Sequence, residues 1–139
     1  MLKTALHDIP VSPSAKLLGW RLLDARPWEG WLKVGFDGRP DFCNPAGFIQ
    51  GGILSAMLDD SMGPAVFVTS DGRFYTTTIS LTVNFIAPAK PGPLIAEAQV
   101  IQIGKSVAFM EGKLKAHNGT VLATASTTAR LIEAARALR

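Results

Sequence analysis

Asp59 and Asp60 stand side by side in a stretch nearly free of other charge. Between positions 40 and 72 the only other charged residues are Asp41 and Asp71, and no lysine or arginine occurs, Arg39 lying just outside. The spacing of Leu54, Met57, Leu58 and Met62 predicts a helix over 51–68. A carboxylate on an apolar helix is costly unless it is hydrogen-bonded or used. Burial raises its pKa toward the range of a general base or nucleophile. Gly51 and Gly52 open the same helix, where backbone N–H groups lack an intrahelical partner. Glycine admits a ligand to that backbone, and the helix dipole there favours negative charge. An attacked carbonyl needs such a place for its oxyanion. Ser55 and Asp59 share one face, four residues apart. The plainer reading takes both aspartates to solvent or to an ion pair at an interface.

Other chemistries lack their residues. There is no phosphate-cradling P-loop, no glycine-rich dinucleotide fingerprint and no Gly-x-Ser-x-Gly, Ser55 lacking the second glycine. Cys43 has no evident histidine base and reads as a small buried hydrophobe. One cysteine excludes an internal disulfide framework, and two histidines, His7 and His117, are too few for a histidine-based metal cluster unless carboxylates complete it. No metal and no bound cofactor are expected. Fourteen basic against eleven acidic residues leave a net charge of +3, too small to argue for nucleic acid. No run approaches the roughly 18–20 apolar residues of a membrane span. Residues 1–10 lack the basic-then-apolar pattern of a signal peptide, so the expectation is a cytoplasmic protein. At 139 residues, 47% hydrophobic and 18% charged, the chain reads as one folded domain, 1–139.

The elements around the helix read as strands. Ser12 and Pro13 mark the start of a short helix ending near Gly19. Strands are expected over 20–25 and 30–36, then a loop over 37–47 broken by Gly38, Pro40, Pro45 and Gly47. The 51–68 helix should be buried nearly all round, with a bend or stop at Pro64. Further strands are expected over 74–87, 93–103, 106–116 and 121–132, the last two joined by a tight turn at Asn118-Gly119. Strict alternation in 74–87 puts Thr76, Thr78, Ser80, Thr82 and Asn84 on one face. Tyr75, Ile79, Leu81, Val83 and Phe85 take the other, which would cover the helix. The result is an α+β fold, one curled antiparallel sheet around one helix.

Asn44, Gly47, Gln50-Gly51-Gly52 and Asp59, with the later run from Thr78 to Ala89, resemble the signature of PaaI-like acyl-CoA thioesterases of the hotdog fold. The resemblance extends from about 17 to 132. It implies hydrolysis of an acyl-CoA thioester, with Asp59 as base or nucleophile and the Gly51 N–H as oxyanion donor. It further implies that Asn44 lies near the thioester and the attacking water, and that Thr78, with Thr77 as the fallback, helps place the nucleophile. Gly52 lies at the same approach to the backbone. Lys90, Lys105 and Arg130 are candidates for the coenzyme A phosphates, each also readable as solvated surface. The family's protomers pair through their sheets with sites at the dimer interface, so a homodimer is expected, with a dimer of dimers as the larger option.

One departure stands out: Gln50 replaces the histidine common before the two glycines. Glutamine orients neighbours but transfers no proton near neutrality, so its expected part is to support the Asn44 loop. Asp60 is the rival carboxylate, about 100° round the helix. Two other functions remain as alternatives: a non-catalytic acyl-CoA binding protein, for which Gln50 is the hint, and a hotdog hydratase or dehydratase, which would want a histidine in the motif.

Overall fold

Six antiparallel strands curl around one helix in the computed structural model, which describes residues 3–138. Helix α1 (Pro13–Leu18) starts where the Ser12 hydroxyl accepts the Ala15 N–H and ends at Gly19, whose φ of 72° suits glycine. Strands β1 (Arg21–Arg26) and β2 (Trp31–Gly38) follow, joined through a 3₁₀ turn at Pro27–Glu29. The long helix α2 (Gly51–Thr69) precedes β3 (Phe74–Phe85), β4 (Gly92–Ile103), β5 (Val107–Ala116) and β6 (Val121–Glu133). A last turn of helix, α3 (Ala134–Ala137), closes the described chain. The sheet order is β1–β2–β4–β5–β6–β3, so β1 and β3 are its edges. Among the described residues no helix is long and apolar enough to cross a membrane.

The helix lies close to the sheet because the sheet's inner face is made of small residues. Ala96, Ala98, Ala108, Ala123 and Ala129 are buried on it. A Cβ at Gly112 would stand 3.2 Å from Met62 Sδ and 3.3 Å from Leu58 Cδ2. Leu54, Met57, Leu58, Met62 and Val66 fill the space above, each burial contributing about 1.5–3 kcal/mol. The helix is not buried all round, however. Gly52 and Ala56 are exposed and Asp59, Asp60 and Gly63 half-buried, because the sheet ends at β3 and does not reach this side.

Pro64 does not stop the helix, which runs on to Thr69. Proline removes the N–H that would reach the Asp60 carbonyl. The Trp20 indole Nε1–H donates to that carbonyl instead, at 2.9 Å. The orphaned acceptor is thus satisfied from the start of β1.

Strand β3 also departs from strict alternation. Its pairing with β6 steps from Thr78–Ala129 to Ser80–Thr128, leaving Ile79 in a bulge and 60% exposed. A bulge inserts one residue and reverses the facing of everything beyond it. Thr76 therefore points at the helix, its Oγ1 3.0 Å from where a Cβ on Gly63 would lie. Past the bulge, Leu81 and Val83 pack on the core while Asn84 pairs with Thr124 on the outer face.

Trp20→Phe, which keeps the ring and loses the donor, should destabilise the protein by about 1–3 kcal/mol. Pro64→Ala returns a donor to the Asp60 carbonyl, so Trp20→Phe should cost less in that background. Denaturant melts of the four proteins check this, and equal costs in both backgrounds would remove the indole from the argument.

Candidate active site

The loop before α2 folds back on itself. Cys43 and Ile49 form an isolated antiparallel bridge, and Asn44 N–H donates to the Phe48 carbonyl at 2.7 Å. The Asn44 Oδ1 accepts the N–H groups of Ala46 at 2.9 Å and Phe48 at 3.2 Å. With its oxygen so engaged, Asn44 has its two Nδ2 hydrogens left for a guest. Gln50 N–H donates to Phe42 and Ile49 N–H to Ala89, both across the base of the loop. The Gln50 side chain is exposed and, among the described residues, bonds to nothing. The loop is therefore held by Asn44 itself and not, as expected, by Gln50.

At the start of α2 the N–H groups of Gly51 and Gly52 have no acceptor among the described residues. The Ser55 hydroxyl donates back to the Gly51 carbonyl at 2.9 Å, which leaves the N–H end open. Phe85 lies over Gly51, its ring Cζ 3.1 Å from where a Cβ would be. In sequence Phe85 is only one of several apolar residues in an alternating run; nothing marks it as a neighbour of the glycines.

Further along the helix, Thr78 Oγ1 donates to Asp59 Oδ1 at 2.8 Å. Thr77, the fallback, sits on the opposite face of β3, paired with Arg130. Asp60 differs from its neighbour. Its Oδ2 is buried without a partner, and burial, with the nearby Asp59 charge adding, pushes its carboxyl from 3.8 to about 6.

Gly51 and Asp59 are held on one rigid helix eight residues apart, about 12 Å at 1.5 Å per residue. One chain therefore does not bring the Gly51 N–H and the Asp59 carboxylate onto the same small group. The basic candidates are divided likewise. Lys90 follows β3 beside the Gly51 end, next to Ala89, which bonds Ile49. Lys105, in the β4–β5 turn, lies toward the Asp59–Thr78 end; Arg130, the cross-strand partner of Thr77, shares its outer face of the sheet and is not brought to Asp59.

A six-stranded antiparallel sheet curled round one long helix is the hotdog fold. The chain belongs to the thioesterase superfamily, whose sequence profile matches residues 46–123. A candidate thioesterase of Ralstonia eutropha JMP134, described as phenylacetic acid degradation-related, superposes with a TM-score of 0.84 at 31% identity. That match covers 91% of this chain and 95% of the other. A Streptococcus mutans protein solved with acetyl CoA shares the fold at 16% identity, TM-score 0.71, over 82% of this chain and 89% of that one. A candidate esterase of Saccharolobus solfataricus is 29% identical over 87 residues, 63% of this chain. The match spans 61% of that relative's own length.

The raised Asp60 pKa has a direct consequence. The folded state holds this proton more tightly than the unfolded chain, so stability falls as pH rises from about 4 to about 6. Asp60→Asn should raise the melting temperature at pH 8 and do little at pH 4. A gain of the same size at both pH values would show that the Asp60 charge is not what costs stability.

Proposed function

We propose that the protein hydrolyses acyl-CoA thioesters to a carboxylate and free coenzyme A, in a site that two copies build together. The observation that carries this reading is the Thr78–Asp59 hydrogen bond of 2.8 Å, on a helix whose first N–H groups are open. Thr78 fixes one carboxylate oxygen and leaves the other free to act. As a base, Asp59 takes a proton from water while the water oxygen bonds to the thioester carbon. The carbonyl oxygen becomes an oxyanion on the Gly51 N–H. The C–S bond then breaks, and the sulfur leaves with the proton from Asp59. As a nucleophile, Asp59 itself bonds to the carbon and the thiolate leaves with a solvent proton; water then opens the mixed anhydride. In both routes the same two groups face the same carbon, with Asn44 Nδ2–H beside it. The acetyl CoA held by the S. mutans relative supports coenzyme A thioesters as the substrate class.

The 12 Å separation supports a shared site. Strand β3 is a 12-residue edge with Tyr75 and Ile79 exposed, and an edge of this kind is a template for a second chain. Antiparallel pairing of two β3 strands about a two-fold axis opposite Ser55 sets the Gly51 end of one helix against the Asp59 end of its neighbour. Exposed Gly52 and Ala56 leave room for that approach. The same operation brings Lys90 of one chain toward Lys105 of the other, a basic rim fit for the coenzyme A phosphates.

Asp59→Asn should lower kcat by about 10²–10⁴-fold in a thiol-release assay, while Asp60→Asn keeps most of the activity. If Asp60→Asn is the dead variant, Asp59 is the wrong carboxylate. Sharing of the site has its own test. Inactive Asp59→Asn and Asn44→Ala chains, unfolded and refolded together, should recover about a quarter of wild-type activity. About half the dimers are mixed, and each has one intact site of two. Well-folded mixed dimers with no recovery would place each site within one chain.

A further inference from the structure

The bulge at Ile79 turns Phe85 toward the helix, in line with Leu81 and Val83. Those two are half-buried on the core, and Ala123, opposite Phe85 on β6, is fully buried. Phe85 is nevertheless 54% exposed. An inward-facing aromatic with half its surface open means that something is missing beneath it. The ring lies against Gly51 at the start of α2. Its Cζ, Cε1 and Cε2 atoms come to 3.1, 3.4 and 3.6 Å from where a Gly51 Cβ would sit. The ring crowds the place a side chain at 51 would take, and the adjacent N–H has no acceptor among the described residues.

Both sides of this contact are fixed. Phe85 is paired with Ala123 in the sheet, and Ile86 and Ala87 N–H both donate to the Leu122 carbonyl. Ile49 N–H donates to Ala89 at 2.8 Å, tying the segment after β3 to the residues just before the helix. Ring and helix N-terminus are therefore set by one backbone frame.

We propose that the Phe85 ring is the apolar wall of the thioester slot, holding the reacting group against the Gly51 N–H and keeping water from that hydrogen bond. This rests on the thioester-hydrolysis reading and adds a substrate-contacting residue to it. Sulfur and aliphatic carbon pack favourably on an aromatic ring, sulfur about 5 Å from its centre. Displacing water from one side of the N–H lowers the local dielectric, so the bond to the oxyanion strengthens as charge develops. The effect belongs to the transition state and falls on kcat.

The test uses acetyl-CoA as substrate, thiol release as readout and sedimentation to follow the assembly. Phe85→Ala should lower kcat about tenfold or more with the assembly unchanged, and Phe85→Leu, which restores apolar bulk, should recover part of the loss. Gly51→Ala pushes the ring aside, so the Gly51→Ala/Phe85→Ala double variant should lose less than the product of the two single losses. Wild-type kcat in Phe85→Ala overturns the proposal, as do strictly multiplicative losses in the double variant. Loss of activity only through dissociation of the assembly also overturns it, making Phe85 an interface residue. A wild-type protein that releases no thiol from any acyl-CoA sinks the hydrolysis reading and this wall with it; an active wild type indifferent to Phe85 sinks only the wall.

Discussion

Eight helical residues separate Gly51 from Asp59, and no side-chain rotation closes the resulting gap of about 12 Å. A helix is stiff on this scale, so its two chemically useful points face different places. One end offers unpaired N–H groups; the other offers a carboxylate held by a strand. The long bare edge of β3, the exposed small residues of α2 and the division of basic residues between the two ends all fit that separation. Each fits the proposed assembly, in which a second copy supplies the half that the first does not reach.

The helix can occupy this central position only because the sheet beneath it is nearly flat in side-chain terms. Alanines and Gly112 on β4, β5 and β6 let the larger side chains of α2 supply the volume. A sheet with larger inward residues would lift the helix and move Asp59 away from Thr78. The same closeness explains how an internal proline is tolerated. Trp20, arriving from the end of α1, is near enough to donate to the carbonyl that Pro64 leaves open. Asp60 is the cost of this arrangement, a carboxyl half sunk between elements with one oxygen unpaired.

The bulge in β3 does two jobs. Before it, Thr76 and Thr78 turn toward the helix, which gives Asp59 its hydrogen bond. After it, Leu81, Val83 and Phe85 turn inward, which completes the core and brings an aromatic ring to Gly51. An unbroken strand would present either the hydroxyls or the apolar residues to the helix, but not both. One extra residue lets a single strand hold Asp59 at one end and pack on the core at the other.

Much of this was legible in the residues themselves. The helical spacing of Leu54, Met57, Leu58 and Met62 after two glycines, in a charge-poor window, specifies α2 almost to its ends; Gly51 and the Asp59–Asp60 pair stand out by type, and Asn44 by the family resemblance. The antiparallel strands follow from alternation and from turn residues such as Asn118-Gly119. Local pattern carries such features because helical and strand periodicity act over a few neighbours. Other features depend on groups distant in sequence. Pro64 reads as a bend or stop because its rescuer, Trp20, lies 40 residues from the carbonyl it serves. The facing of Thr78 and Phe85 hangs on a bulge, and alternating residues are compatible with either register. Gln50 is plausible as a brace until Asn44 is seen to brace its own loop. Which aspartate is paired and which is stranded depends on a 100° turn of a helix against a strand 19 residues away. Composition and spacing determine which groups are available; only the packing of helix on sheet decides which of them meet, because contacts across space follow from the whole set of buried surfaces at once.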